Sequence, residues 1–162
     1  MRTDDDIRYC LIDGTPREQI LKNGDLLYIA IVPLNPITKK NSQQILINRK
    51  TRKPFITQSE KYKQYENDCG WYLKRTAKPI AEPVNVKCVF YRDSARRVDL
   101  TNLLEAVDDI LVKYRILEDD NYNIIVGHDG SRVYIDRDHP RTEIEITKMP
   151  TYNEKKEEIH GE

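Results

Sequence analysis

The segment from residue 100 to residue 114 constrains the fold of this 162-residue chain most strongly, because it predicts an amphipathic helix over residues 101–114. Apolar residues recur there at spacings of three and four, which gathers them on one side of a helix that turns about 100° per residue. The opposite side carries Asn102, Glu105 and Asp109, while Asp108 points to one flank. The apolar side has to pack against a second layer of structure. Its residues are Leu100, Leu103, Leu104, Val107, Ile110 and Leu111.

Short apolar or alternating segments on both sides of this helix predict the strands of a sheet. The segment 84–91 alternates at the strand period, which puts every second side chain on one face. Two other segments flank a basic, turn-like stretch and predict a hairpin. The predicted strands cover residues 26–32, 44–48, 54–57, 84–91, 124–126, 132–135 and 142–146.

A second helix is predicted after Ser59, whose hydroxyl suits an N-cap, and is expected to reach about Arg75. The aromatic residues of this region fit either the core or a dimer interface. They are Tyr62, Tyr65, Trp71 and Tyr72. Strands mixed with two helices indicate an α/β (α+β) fold, in which a single mixed sheet has the two main helices packed on it.

The length and composition of the chain predict one globular domain with polar ends. We expect an N-terminal extension over residues 1–25, with a short helix near residues 17–21, then a domain over residues 26–148 and a charged, flexible tail over residues 149–162. We expect neither a signal peptide nor a membrane span. The three cysteines fit neither a disulfide framework nor a zinc site. These features predict a cytoplasmic protein without membrane contact.

The charges of the chain balance overall but are divided along its length. Residues 39–63 hold eight basic side chains and one acidic, whereas residues 99–120 hold seven acidic and two basic. A protein that binds a polyanion and also holds a metal ion has this distribution, and so has a protein with two ordinary solvated surfaces. The charge pattern alone favours the second interpretation.

The acidic residues form two groups, one on the predicted helix and one directly after it. Asp99 lies at the helix entry, Glu105 lies on its polar side, and Asp120 ends the run Glu118-Asp119-Asp120. Mg²⁺ prefers oxygen ligands of this kind, and Mn²⁺ can substitute for it. A metal held by Asp99, Glu105 and Asp120 would activate water and stabilise charge on a phosphodiester. The alternatives are a solvated helix face and, for Asp99, helix capping.

The basic residues of the loops are candidates for binding a phosphate backbone, with solubility as the alternative interpretation. One group lies at the tip of the Pro- and Asn-rich loop 33–41, one directly precedes Asp99, and one forms the hairpin turn of residues 49–53. The candidates for DNA binding are Lys39, Lys40, Asn41, Arg96, Arg97 and Arg132.

Three residues are auxiliary candidates for the acidic site: Thr101, Asp109 and Asp129. Asp129 lies in the predicted tight turn of residues 128–132, where a turn-forming aspartate is the favoured interpretation. The three histidines are scattered and are expected to be structural or on the surface. They are His128, His139 and His160.

Two linked motifs resemble those of the RusA family of Holliday junction resolvases. The first is Arg96-Arg97-Val98-Asp99-Leu100-Thr101-Asn102-Leu103-Leu104-Glu105-Ala106, and the second is Ile116-Leu117-Glu118-Asp119-Asp120. The family pattern is an arginine-rich entry, Asp-x-Asp-Asn-Leu, an amphipathic helix and then a hydrophobic residue before Asp-Asp. The resemblance extends from about residue 28 to residue 146.

This resemblance implies a homodimeric, Mg²⁺-dependent endodeoxyribonuclease that nicks two opposed strands of a four-way junction in recombination and repair. It implies branched DNA and a second copy of the chain as partners, and no small-molecule cofactor. Asp99 and Asp120 fall on catalytic aspartates of the family, and Asp119 is the neighbour of the second one. A two-fold dimer suits the two-fold symmetry of a junction.

Two positions depart from the family pattern. Thr101 stands in place of the second aspartate of Asp-x-Asp, and a hydroxyl is a weak neutral ligand. Glu105 stands where the family carries an active-site lysine. We hypothesise that Glu105 returns the missing carboxylate and that Arg97 or Arg132 returns the cation. The alternatives are a catalytically impaired relative that only binds branched DNA, and an interaction protein whose acidic patch binds a basic partner.

Overall fold

The computed structural model describes residues 26–39 and 43–150, and the chain order of its elements agrees with the predicted one. The expected leader and most of the expected tail lie outside these residues, as do Lys40 and Asn41. The elements are β1 (Leu26–Val32), β2 (Gln43–Ile47), β3 (Pro54–Gln58), α1 (Glu60–Cys69), β4 (Val84–Arg92), α2 (Leu100–Lys113), β5 (Ile125–Gly127), β6 (Arg132–Ile135) and β7 (Arg141–Lys148).

Five strands form one mixed sheet around β4 and β7. β7 pairs antiparallel with β1 on one side and with β4 on the other. On the side of β4 away from β7, two short strands pair with it in parallel. β5 pairs with the beginning of β4, and β6 pairs with its end. The predicted α+β class with a single mixed sheet and two helices is confirmed. The hairpin of β2 and β3 forms a separate two-stranded sheet.

The core lies between this sheet and the two helices. α2 buries most of the predicted apolar face, and Leu103 and Leu111 are almost completely inaccessible. α1 contributes Tyr62 and Tyr65, so two of the aromatic residues with open alternatives belong to the core, whereas Trp71 is largely exposed. Neither of the two described helices has the length and apolarity that crossing a membrane requires.

The start of α1 was predicted correctly and its end was not. The Ser59 hydroxyl accepts a hydrogen bond from the Tyr62 amide, as an N-cap should. The helix ends at Cys69 rather than near Arg75. The Tyr114 hydroxyl, from the end of α2, donates to main-chain carbonyls in the last turn of α1. A Cβ atom at Gly70 would clash with the Tyr114 ring, so a glycine suits this position.

Candidate active site

The path of the chain places the two ends of α2 at opposite ends of the sheet. β4 leads through a loop into α2, and the loop after α2 returns to β5, whose first residue pairs with the first residue of β4. The amino end of α2 therefore lies near the carboxyl end of β4, and its carboxyl end lies near the start of β4. Fourteen helical residues span about 21 Å.

Asp99 lies at the amino end of α2 and keeps its carboxylate exposed. It occupies the N-cap position, yet its side chain makes no capping hydrogen bond to the helix amides. Its Oδ2 atom instead accepts a hydrogen bond of 3.2 Å from the Asn102 amide group. Helix capping, the alternative interpretation of Asp99, is therefore absent, and the carboxylate faces solvent beside Thr101, which is also exposed.

Lys39 contacts the polar side of α2 farther along the helix. Its ammonium group lies 2.7 Å from Asp109 Oδ2, and both side chains are about one third exposed. The hydrogen bond to Asp109 is the largest influence on the pKa of Lys39 and raises it, against the smaller effect of burial. The charges of Glu105 and Glu66 act in the same direction. The predicted DNA-binding lysine is therefore an ion-pair partner of the acidic helix.

The acidic loop after α2 precedes β5, and its two aspartates differ in their hydrogen bonds. Asp119 accepts from the Asp120 amide at 2.9 Å and from the Asn121 side chain at 2.6 Å, and these bonds lower the pKa of Asp119. Partial burial, together with the neighbouring charges of Asp119 and Asp109, raises the pKa of Asp120. Asp119 thus shapes the loop, while Asp120 carries negative charge that its surroundings do not compensate.

One chain does not bring the three predicted metal ligands together. Asp120 is electrostatically coupled to Asp109, which is one helical turn from Glu105. Asp99 is ten residues before Asp109 and so lies about 15 Å away along the helix axis. Within residues 26–39 and 43–150, no three His, Cys, Asp or Glu side chains form a group that could hold a metal ion. Asp99 therefore lies at one end of α2, Asp109 and Asp120 lie toward the other end, and Glu105 lies between them, one turn from Asp109.

A basic cleft of about 520 Å³ lies at the Asp99 end. It is formed by residues 35–38, Lys61 in the first turn of α1, and residues 92–94 and 96–98. Arg96 and Arg97, two of the predicted DNA-binding residues, line it together with Lys61 and Arg92. Lys61 and Arg92 were not among the predicted DNA-binding residues, because only the fold brings α1 to the end of β4. Asp93 is the one acidic residue in the lining, so the cleft has a net positive charge.

Asp129 and Arg132 lie on the far edge of the sheet. The main-chain amide of Asp129 donates to Asn85 Oδ1 at 2.7 Å, and its carbonyl accepts from the same side chain at 3.1 Å. This pairing fixes the turn between β5 and β6, which supports the turn-forming interpretation of Asp129. Arg132 begins β6 and is exposed.

A buried ion pair on the flank of α2 escaped the sequence analysis. The Asp108 carboxylate is 9% exposed, and its Oδ2 atom lies 3.1 Å from Nε2 of His128. The other ring nitrogen of His128 lies 2.8 Å from the Val86 carbonyl oxygen. Burial acts to lower the pKa of His128, but the hydrogen bond and charge of Asp108 outweigh it, and the pKa is raised. His128 is thus a structural histidine that joins the β5–β6 turn to α2.

This pair predicts a pH-dependent stability. A histidine whose folded pKa is raised contributes stability that is complete below its unfolded pKa of about 6.5 and fades as pH rises through the folded pKa. Asp108→Asn should therefore lower the free energy of unfolding by about 2 kcal/mol near pH 6 and by less near pH 9. Urea unfolding at both pH values measures this, with His139→Gln as the control. An equal loss at both pH values would contradict the ion pair.

An acidic helix beside a basic cleft suits an enzyme that binds and hydrolyses a phosphodiester backbone. The family model described as Endodeoxyribonuclease RusA matches residues 33–147, a span that contains both acidic blocks and every residue of the cleft. The chain belongs to the RusA endodeoxyribonuclease family, which binds and resolves Holliday junctions, as its motifs predicted. No curated protein matches the chain significantly.

Proposed function

We propose that this protein is a divalent-metal-dependent Holliday junction resolvase, with Mg²⁺ as the natural cation. The observation that carries the proposal is the RusA match across both acidic blocks, together with the basic cleft that adjoins Asp99. The chemistry of the side chains fits a hard cation, since carboxylate oxygens are the ligands that Mg²⁺ prefers. The raised pKa of Asp120 agrees with a site in which negative charges crowd together when no cation is bound.

We propose further that a two-fold dimer completes the metal site. Asp99 lies about 9 Å along α2 from Glu105 and about 15 Å from Asp109, so it cannot share one ion with the whole acidic group of Glu105, Asp109 and Asp120 within a chain. Two α2 helices that approach antiparallel across a two-fold axis would bring Asp99 of each protomer to the acidic group of its partner. Such a dimer has two equivalent sites, and a junction has two strands to nick.

Each group then has a defined task. When bound, the cation polarises the scissile phosphate and lowers the pKa of the attacking water. The carboxylates of Asp99, Glu105 and Asp120 hold that cation, while Arg96 and Arg97 hold the phosphate strand beside it. Lys39 keeps the side chain of Asp109 in place through their ion pair. Because the charge of Glu105 also acts on its ammonium group, Lys39 is a further candidate, beside Arg97 and Arg132, to replace the family lysine.

Cleavage of a synthetic four-way junction tests this function. Wild-type protein should introduce paired nicks with Mg²⁺ or Mn²⁺ and none with EDTA, and linear duplex should remain intact. Junction affinity should fall steeply with salt, because phosphate contacts release counterions. Tight binding without cleavage in either metal would identify the protein as the catalytically impaired relative, in which Thr101 replaces a required carboxylate. Absence of binding at low salt would exclude both the resolvase and the impaired relative.

A further inference from the structure

The β2–β3 hairpin is a separate ribbon that exposes apolar side chains. Its strands hydrogen-bond to each other, and neither pairs with a described strand of the main sheet. Ile45 is 73% exposed and Ile47 is 68% exposed, and Phe55 on the other face is also exposed. A two-stranded ribbon has little stability of its own, and exposed apolar patches mark binding surfaces. The ribbon therefore has the character of a binding element.

The most exposed apolar residues share one face and reach the end of the ribbon. Ile47 lies directly opposite Pro54 in the register, so the two side chains are neighbours on the same face next to the turn. Ile45 lies two residues from Ile47 on that face. Isoleucine and proline are among the side chains that proteins insert between base steps as wedges.

The turn beyond this face is ordered and strongly basic. Asn48 closes it, since its main chain bonds to Lys53 and its Oδ1 atom accepts from the amides of Lys50 and Thr51. Arg49 and Arg52, with these two lysines, make four exposed cations, and residues 43–59 contain no acidic side chain. A turn with this charge complements a polyphosphate backbone.

The hairpin extends from the rim of the basic cleft. Thr38 lines the cleft five residues before β2, and Lys61 lines it three residues after β3. Five strand residues span about 17 Å, so the turn at the far end of the hairpin can lie about that distance from the segments that line the cleft. The cleft and the turn can therefore contact two separate stretches of one branched DNA.

We propose that the β2–β3 hairpin is a DNA-binding arm of the protein. Its basic turn contacts the phosphates of a second duplex of the junction, and its Ile47–Pro54 face inserts between bases at the branch point. A branch point offers unstacked bases, which accept an apolar wedge at lower cost than a continuous duplex. The alternative occupant is the same face of a second copy. A symmetric contact of that kind would bring like-charged turns together, which the surface charge disfavours. This inference rests on the proposed function.

Two hairpin variants and a matched control test the arm in EDTA, where binding is separated from cleavage. Arg49→Ala/Lys50→Ala/Lys53→Ala removes three turn charges and leaves Arg52, whose φ of 53° is positive, unchanged. We expect it to bind the junction at least about tenfold more weakly and to reduce the salt slope by about 2.7. The control is Lys74→Ala/Arg75→Ala/Lys78→Ala, which removes three exposed charges elsewhere and should bind like the wild type.

Ile45→Thr/Ile47→Thr tests the wedge and keeps β-branched residues in the strand. It should lose most of the preference for a junction over duplex, and it should no longer unstack a 2-aminopurine placed at the branch point. Hairpin variants that bind the junction like the wild type would overturn the arm. A variant that becomes monomeric in sedimentation with unchanged DNA affinity would assign the face to a second copy and also overturn it. Wild-type protein that binds no junction would overturn the proposed function first.

Discussion

Mixed dimers of Asp99→Asn and Asp120→Asn are expected to nick a four-way junction, although neither variant does so alone. Loss of one metal ligand removes several kcal/mol of transition-state stabilisation, which corresponds to about 10²–10³-fold in rate. If each site combines Asp99 of one protomer with Asp120 of its partner, a mixed dimer has one doubly altered site and one intact site. It should therefore nick at about half the wild-type rate.

The products of this experiment are as informative as its rate. A single intact site nicks one strand, so mixed dimers should give nicked junctions and few resolved duplexes. Two different affinity tags isolate the mixed species from both parents. A pairing of Asp120→Asn with Glu105→Gln is the matched control, because both changes fall in the same acidic group and leave neither site intact.

Failure of the mixed dimers to recover activity would place the metal site within one chain. The loops at the two ends of α2 would then have to move toward each other on binding DNA or metal. Membership of the RusA family and the endonuclease activity that goes with it do not depend on the outcome. The experiment thus decides how the acidic residues are assembled, separately from whether the protein cleaves junctions.

The sequence was a sufficient guide wherever the determining contact is local. The apolar face of α2 follows from a spacing of three and four residues, and Ser59 caps α1 through an amide only three residues away. These interactions are encoded within one element, so periodicity and capping rules find them. The residue types also favoured the turn at Asp129, although Asn85 of β4, forty-four residues away, holds it in place.

The errors concern contacts between distant segments. α1 ends at Cys69, and the Tyr114 ring packs over Gly70 at this end from forty-four residues away in the chain. A helical wheel places Asp108 on a flank but cannot show that His128 covers it. Such contacts depend on how the sheet brings its elements together, and no local pattern carries that information.

The candidate site shows the same division. The acidic candidates were selected from their spacing, and the hydrogen bonds that Asp119 accepts within the loop favour Asp120 as the proposed ligand of the adjacent pair. Their arrangement was not apparent, since it depends on the direction in which α2 crosses the sheet. The pairing of Lys39 with Asp109 also joins residues seventy positions apart.

Glu105→Gln is expected to lower junction cleavage by about 10²–10³-fold, because it removes a metal-binding charge while keeping the shape of the side chain. Junction binding in EDTA should remain at the wild-type level.

Residues 101 and 105 are neighbours on one face of α2, since they are four residues apart. Thr101→Asp should therefore restore much of the activity of Glu105→Gln by returning a carboxylate one turn earlier. Glu118→Gln, which removes an exposed acid outside the proposed ligand set, is the control for charge alone. Full activity of Glu105→Gln would show that Thr101 is not compensated from position 105, and would leave Asp109 as the remaining carboxylate on that face.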